Sequence, residues 1–488
     1  MSIRISRRRF LARAGAAGVI GAVGAQAFSQ SFASDSPNDQ ISVGVIGLGW
    51  RGSELLSQVS RLRGVRVVSL CDVDSALLEK AHQQFPGAQQ CVDLRRVLDD
   101  PGIDAVLIAT CNHWHCLAAI WACEAGKDVY VEKPLAHSLW EGRQLVNATR
   151  RYGRVLQTGM QQRSDPMQDE IRSFLHNEKS LGGIREVVAV RFGTRASIGK
   201  RSAPLPMPTT LDYDLWLGPG KDEPIYRDKL HYDWHWDWNT GNGECANWGV
   251  HVLDDVRNVV FEDRVRLPKR IACSGGRLAW NDAGKTPNVQ LAYLDADGIP
   301  VFFALSNLSE SRDSKQPLRY DQVDSGYIVL CEGGSYHGCR GRGIAYDLDG
   351  KEIRKFSGDS GGGHLGNFFD VIRSRKHSSL KADAETGHYS AGWTHLLNAA
   401  YRSATESDVK LIDAAAGQSI VFDKLQTILN AQLDSHCASR SDNSVRMSGL
   451  LLVDNVDERF EGQTSAEANR HLARREYRSP YIVPTINA

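Results

Sequence analysis

The sequence predicts an α/β protein: a parallel, doubly wound sheet followed by an α+β domain with a large, mostly antiparallel, open sheet. Three observations carry this. Short apolar runs alternate with helical stretches from Ile41 to Thr158, the pattern of βαβ units. The first run ends in Gly47, Gly49 and Gly52, spaced G-x-G-x-x-G. Beyond Glu186 the runs are joined by hairpin-type turns, Asp297-Gly298 and Asp349-Gly350, which is the chemistry of antiparallel pairing.

The chain has 488 residues, with Lys+Arg and Asp+Glu equal at 58 each. That length allows two domains, and the absence of net charge gives nothing to steer the protein to nucleic acid or an anionic membrane. Small molecules are the expected partners. At the N-terminus, Ser6-Arg7-Arg8-Arg9-Phe10-Leu11 precedes an uncharged run from Ala14 to Phe28. This reads as a twin-arginine export signal over residues 1–33, with Ser31 and Ala33 suiting cleavage before Ser34. Export in the folded state to the periplasm is the expectation, with no membrane span afterwards. The 10 cysteines are scattered without a C-x-x-C pair and read as buried small hydrophobes. Cys331, His337 and Cys339 lack an evident fourth ligand, so no metal is expected there.

Ile41 to Ile46 is a short β-branched run suited to a strand buried on both faces. In the turn that follows, the first glycine makes the bend, the second admits a pyrophosphate, and the third packs helix on strand. The phosphates then meet the N-terminus of the helix beginning at Trp50 and Arg51. Val65 to Leu70 is the second strand, and Asp72 lies 20 residues after Gly52, where a Rossmann fold places the carboxylate for the ribose 2′-hydroxyl. A carboxylate there repels a 2′-phosphate, and Val73 and Asp74 offer no arginine to hold one, so NAD is expected over NADP. The alternative makes Asp72 a strand-end cap.

Ser75 to Phe85 and Leu94 to Leu98 read as helices, Ile103 to Ala109 as a buried strand, and Asp128 to Val131 as the next. A helix from Ser138 to Tyr152 and a strand from Arg154 to Thr158 complete a dinucleotide domain spanning residues 41–160. Because ligands sit at the carboxyl ends of such strands, Thr110, Asn112, His115, Glu132, Lys133, Gln161 and Arg163 should surround one crevice.

The Gly-rich turn, the Asn112-His113-Trp114-His115 loop, the Glu132-Lys133-Pro134 tripeptide and a helix around His251 together resemble the Gfo/Idh/MocA oxidoreductases, from about Ile41 to Leu425, and within them the exported members. Cys111 stands where many relatives have proline. The resemblance implies that Lys133 is the general acid/base and that Glu132 positions the nicotinamide end. A lysine partly desolvated beside the nicotinamide cation has a lowered pKa, which suits that role.

From Glu186 to Phe192 a long strand opens the second domain, expected over residues 161–430. In the run His231 to Trp238, tryptophan recurs at every second position from Trp234. Alternation would put Trp234, Trp236 and Trp238 on one face, either as a sugar-binding wall with His235 or as the buried side of an edge strand. A metal at His231 and His235 would need a third ligand on their side. Asn247, His251, Asp254 and Asp255 fall at helical spacing along one face. The resemblance makes His251 the proton acceptor beside Lys133, with Asn247 where many relatives carry Asp. Arg163, Trp234, His235, Trp236 and Asp254 are therefore the candidate substrate contacts.

Arg270 to Ser274, Val289 to Leu294, Pro300 to Leu305 and Gly326 to Glu332 continue the strands. The tail, residues 431–488, is expected to wrap the body or a neighbouring subunit. By resemblance the protein is a homodimer or homotetramer assembled through the open sheet face. The activity implied is hydride transfer between bound NAD and a sugar or polyol. Two alternatives remain: redox-neutral glycoside cleavage or epimerisation, and a non-catalytic carbohydrate-binding protein with a vestigial nucleotide site.

Overall fold

The computed structural model describes residues 40–406, 419–437, 445–462, 465–473 and 475–487. The twin-arginine stretch lies outside the described residues. β1 (Ile41–Ile46), β2 (Val65–Cys71), β3 (Gln89–Cys91), β4 (Ala105–Ile108), β5 (Asp128–Val131) and β6 (Leu156–Thr158) form a parallel sheet of order β3-β2-β1-β4-β5-β6. Strand order reverses between β1 and β4, the switch point where such sheets bind ligands. The strands are buried because helices cover both faces: α1 (Trp50–Val59), α2 (Ser75–Gln84), α3 (Leu94–Asp99), α4 (Asn112–Glu124) and α5 (Leu139–Tyr152). Asp74, Asp93 and Ser138 cap α2, α3 and α5 by accepting first-turn N–H bonds, the use such side chains have at helix starts.

The second sheet has 12 strands. In chain order they are β7 (Ile184–Phe192), β8 (Arg270–Gly276), β9 (Val289–Ala296), β10 (Ile299–Ser306), β11 (Ser325–Cys331), β12 (Gly334–Cys339), β13 (Arg342–Asp347), β14 (Glu352–Ser357), β15 (Thr405–Glu406), β16 (Arg446–Met447), β17 (Leu451–Asp454) and β18 (Arg459–Phe460). All pairings are antiparallel except β7 with β10. The Asp297-Gly298 turn joins β9 to β10 with positive φ at both residues, 57° and 85°, as a two-residue hairpin requires.

One face of this sheet packs on α6 (Ala384–Ser403), whose Trp393 is fully buried, and on the segment around His251. The other face is not open over its central strands. Helix α7 (Ile420–Ser435) lays Val421, Phe422, Leu425 and Leu429 against Val188, Val190, Leu291 and Phe302. Helix α7 therefore covers that face at β7, β9 and β10. The domain boundary expected after residue 430 falls inside α7, and β16 and β17 of the expected tail pair with β8. Further on, Tyr481, Val483 and Ile486 join the core formed by α4 and α5.

Candidate active site

The glycine turn is built as its spacing requires. Gly47 has φ +84°, and a Cβ there would meet the Ala109 carbonyl oxygen at 2.7 Å. A Cβ on Gly52 would stand 1.8 Å from the Gly47 oxygen, so the third glycine is what lets α1 lie on the turn. At Gly49 a Cβ would meet nothing within 4 Å. Gly49 is also the N-cap of α1 without a side-chain cap bond, so the first-turn N–H groups face the space that a phosphate would take. Asp72 closes the turn: Oδ2 accepts from Leu48 N at 2.6 Å and Oδ1 from Asp74 N at 2.9 Å. Burial raises its pKa in spite of these bonds. An ionised carboxylate has about four acceptor sites, so it retains capacity for ribose hydroxyls.

Gly47, Gly49, Trp50, Arg51 and Asp72 line a cavity of about 860 Å³ together with Thr110, Asn112, His115, Glu132, Lys133, Gln161, Trp234, His235, Asn247 and His251. The donor set, the open space over Gly49 and the cavity's size fit a dinucleotide plus a small substrate. Glu132 ties the parts together. Its Oε1 accepts from Arg51 Nε at 2.7 Å and from Gln161 Nε2 at 3.2 Å. Burial pushes its pKa up, but Arg51 and Lys133 outweigh that and hold it below the ordinary value.

Lys133 Nζ donates to the Asn247 carbonyl oxygen at 2.8 Å and to Asn247 Oδ1 at 3.1 Å. Asn247 Nδ2 in turn donates to Glu244 Oε2 at 3.1 Å. A lysine ammonium is only a donor and an ionised glutamate only an acceptor, so this chain fixes the amide orientation. Glu244 is fully buried and bound by Arg191 Nε at 3.0 Å and Arg195 Nη2 at 2.9 Å. Burial pulls Lys133 down to about 8 despite the pull of Glu132 and Glu244 in the other direction. A group near 8 is populated in both protonation states at physiological pH. His251 packs edge-on to Trp248, with centroids 5.8 Å apart, and burial followed by the Lys133 charge keeps it neutral, well below its usual value.

Several expected contacts lie elsewhere. Arg163 is not on the cavity wall: its Nε is 2.8 Å from Asp254 Oδ1, and its Nη1 is 2.7 Å from Asp263 Oδ2. Asp254 also accepts from Ser390 Oγ. A buried arginine held by two carboxylates is a structural ion pair, so both residues are corrected as substrate contacts. The helical stripe divides because π turns flank Val250–Asp255; Asn247 and His251 reach the cavity and Asp254 does not. The tryptophan alternation is not a strand either. Asp233–Trp236 is a 3-10 turn entered from Tyr232 at φ 65°, so Trp234 stacks on His235 at 3.6 Å in the cavity wall while Trp236 is buried behind it. Burial, then Lys133, pulls His235 down to about 3, and its Nδ1 is 2.6 Å from the Tyr232 carbonyl. His231 bonds Asp74 at 2.8 Å. Among the described residues no group of three or more metal-ligating side chains forms. His115 has its ring nitrogens 2.7 and 3.1 Å from the Pro134 and Thr110 carbonyls, so it shapes the Lys133 loop from within the wall.

Glu244, Arg191, Arg195, Trp248, Tyr232 and Arg340 also line or support the cavity and were not expected from the sequence. The one legible signal was Glu244, the only charge between Thr240 and Val250.

Residues 41–160 match the model of the Gfo/Idh/MocA oxidoreductase family's NAD-binding Rossmann fold, and residues 194–430 match that of the family's C-terminal alpha/beta domain. An uncharacterized oxidoreductase of Bacillus subtilis, YrbE, is 30% identical over 138 residues, 28% of this chain and 40% of that protein. A glycosyl hydrolase family 109 protein of Shewanella pealeana is 34% identical over 124 residues, 23% of this chain and 27% of that protein. The chain thus spans less than half the length of these relatives. Among solved structures, levoglucosan dehydrogenase with NADH and levoglucosan superposes with a TM-score of 0.55 at 17% identity, over 74% of this chain and 95% of that one. The WlbA dehydrogenase of Bordetella pertussis with NADH and UDP-GlcNAcA gives 0.54 at 17% identity, over 72% and 94%. At such identities the likeness is one of fold.

Proposed function

Since the chain belongs to the Gfo/Idh/MocA family of NAD-binding oxidoreductases, we propose that it transfers hydride between a tightly held NAD and a carbon of a sugar or polyol. The observation that carries this is Lys133: a cavity lysine held at about 8, hydrogen-bonded to Asn247, beside the glycine turn. Bound in this cavity, the nicotinamide supplies the hydride acceptor and donor. Arg51 and Gln161, tied to Glu132, hold its end of the site, the α1 N-terminus takes the phosphates, and Asp72 favours a free 2′-hydroxyl and so NAD. As hydride leaves carbon, the neutral Lys133 amine takes the hydroxyl proton, and in the reverse direction its ammonium returns it. His251, kept neutral, is the second acceptor for that proton. Trp234 offers an apolar surface for sugar C–H faces, with His235 and Arg340 near the hydroxyls. Export by the twin-arginine route, with the nucleotide loaded beforehand, fits Arg7 and Arg8.

A second reading keeps the same residues but resets the nucleotide on the same sugar, so that oxidation, bond cleavage and reduction are redox-neutral. The relatives named glycosyl hydrolase family 109 favour it. Products from free sugars and from glycosides separate the two.

The test is the nucleotide itself. Protein purified from cytoplasm and dialysed should release NAD(H) on denaturation, identified by mass spectrometry. Recovery of mainly NADP(H) refutes the role of Asp72, and nucleotide-free protein refutes tight retention. Lys133→Met should keep the nucleotide and slow its reduction by sugars by about 10² to 10⁴; a loss of only a few-fold refutes the role of Lys133.

A further inference from the structure

A second cavity, of about 380 Å³, is lined by His137, Trp238, His395, Asn398, Arg402 and Arg475 among others. Asn242 joins its wall to that of the first cavity: its Oδ1 accepts from Asn112 Nδ2 at 3.1 Å and its Nδ2 donates to the His137 carbonyl at 2.9 Å. Most charges around the second cavity cancel. Lys221 pairs with Glu476 at 3.1 Å, Lys285 with Glu223 at 3.2 Å and Arg470 with Glu467 at 2.6 Å.

Two guanidinium groups have no carboxylate in direct contact: among the described residues neither Arg402 nor Arg475 has one at ion-pair distance. Arg402 lies over the Trp238 ring, 4.8 Å from its centroid. Arg475 donates to His137 Nδ1 and, at 3.2 Å, to the Asn239 carbonyl. All three contacts are with neutral groups. His137 is neutral because burial and the Arg475 charge push its pKa far down, and its Nε2 faces the Gly241 carbonyl at 3.2 Å. Burial and then Arg475 pull Arg402 itself down to about 10. Glu467 acts on Arg402 and the buried Glu141 on Arg475, but from beyond ion-pair distance; two like charges side by side, half-buried and without a carboxylate in contact, are costly, and paired guanidinium forks are the groups that recognise oxyanions.

The same wall carries two buried acceptors without partners, His395 Nε2 and Asn398 Oδ1. The Asn398 amide is oriented by its Nδ2, which donates to the Asn242 carbonyl at 2.8 Å. Burial holds His395 neutral, at about 3. An oxyanion without hydrogen answers the guanidiniums and leaves these acceptors unmet; one that bears a hydroxyl answers both.

We propose that this cavity, walled by Arg402, Arg475, His395 and Asn398, is a binding site for an oxyanion that carries a hydroxyl donor. Hydrogen phosphate and a hydroxylated sugar acid share that chemistry. Arg475 comes from the C-terminal tail, so the site exists only when the tail is docked.

Calorimetric titration of the whole protein with sodium phosphate, gluconate and sulfate at constant ionic strength tests this. Phosphate or gluconate should bind one per chain, the tighter of the two naming the source, with sulfate weaker by at least about tenfold, the effect of leaving buried acceptors unmet. Arg402→Gln and Arg475→Gln should each weaken binding by at least about tenfold, as loss of a charge-assisted donor does. Phosphate held instead at the Gly49 turn would be indifferent to both variants, and that result overturns the proposal. So does binding of none of the three, or of sulfate as tightly as phosphate. A second readout needs no ligand: because burial and the neighbouring Arg475 charge both disfavour the Arg402 charge, Arg402→Gln should melt no lower than wild type in anion-poor buffer, and a lower melting temperature counts against the proposal.

Discussion

Asn247→Asp is the substitution that most directly interrogates the Lys133 network. It places a carboxylate oxygen where the amide oxygen now lies, 3.1 Å from Lys133 Nζ. Unit charges at that separation interact by about 5 kcal/mol at an effective dielectric of about 20, a ceiling of roughly 4 pK units. Two effects reduce it. The new carboxylate is buried, which disfavours its charge, and its other oxygen faces Glu244 Oε2, now 3.1 Å from the amide nitrogen. Arg191 and Arg195 already hold the Glu244 charge, so the new carboxylate remains at least partly ionised. The net rise for Lys133 is then about 1 to 2 units, within the usual range for an adjacent opposite charge. Starting from about 8, the neutral fraction at about pH 7.5 falls from roughly 24% to roughly 1% for a rise of about 1.5 units. Only the neutral amine is acylated, so competitive labelling with a small acylating reagent, read by mass spectrometry against the exposed Lys351, should slow about twentyfold at Lys133. Labelling that is unchanged or faster in the variant refutes the network, as does a wild-type Lys133 that labels no faster than Lys351.

The glycine turn separates folding from binding. Gly52→Ala should lower stability sharply, since its Cβ would overlap the Gly47 oxygen, whereas Gly49→Val should fold normally and lose the nucleotide; equal melting temperatures for Gly52→Ala and wild type refute this. The buried histidines predict an acid limit. Burial holds His113 and His364 at about 4 and His235 and His395 at about 3, against an unfolded value of about 6.5. The unfolded chain binds more protons between those values, so stability is complete above about pH 6.5 and is lost as pH falls towards 4, by up to about 3 kcal/mol per histidine. A melting temperature constant from pH 6.5 to 4.5 contradicts it.

The parts of the site that were legible in the sequence are those whose constraint is local. Gly47 answers its own positive φ and Gly52 the Gly47 oxygen five residues before it, Gly49 leaves the helix start bare, and Asp72 and Lys133 sit at strand ends whose apolar runs are visible. What was not legible depends on partners distant in the chain. Arg163 looks like a cavity residue until Asp254 and Asp263, 91 and 100 residues away, take its guanidinium. Glu244 acts through Arg191 and Arg195, about fifty residues earlier. The tryptophan repeat misled because a period of two implies a strand only if the backbone is extended, and Tyr232 at φ 65° turns it into a 3-10 bend. Helix α7 has an ordinary amphipathic pattern, but nothing in that pattern says that it covers the second sheet.

The docking of residues 477–486 has a bearing on how the chain is made. Ile486 N bonds Gln144 Oε1 across 342 residues, Asn147 Nδ2 bonds the Ile486 carbonyl, and Tyr481 packs against Trp114 with centroids 5.4 Å apart. During synthesis, α4 and α5 leave the ribosome long before the segment that seals them. Their apolar surface therefore stays wet, or in the keeping of a chaperone, until residues 477–486 have been made. Helix α4 also presents Asn112 and His115 to the nucleotide cavity, so a nascent chain meets the nucleotide with one wall still unsupported. Loading should follow the emergence and docking of residues 477–486, and a chain stopped short of Tyr477 should be recognised by proteases as unfinished even though both of its sheets have been translated.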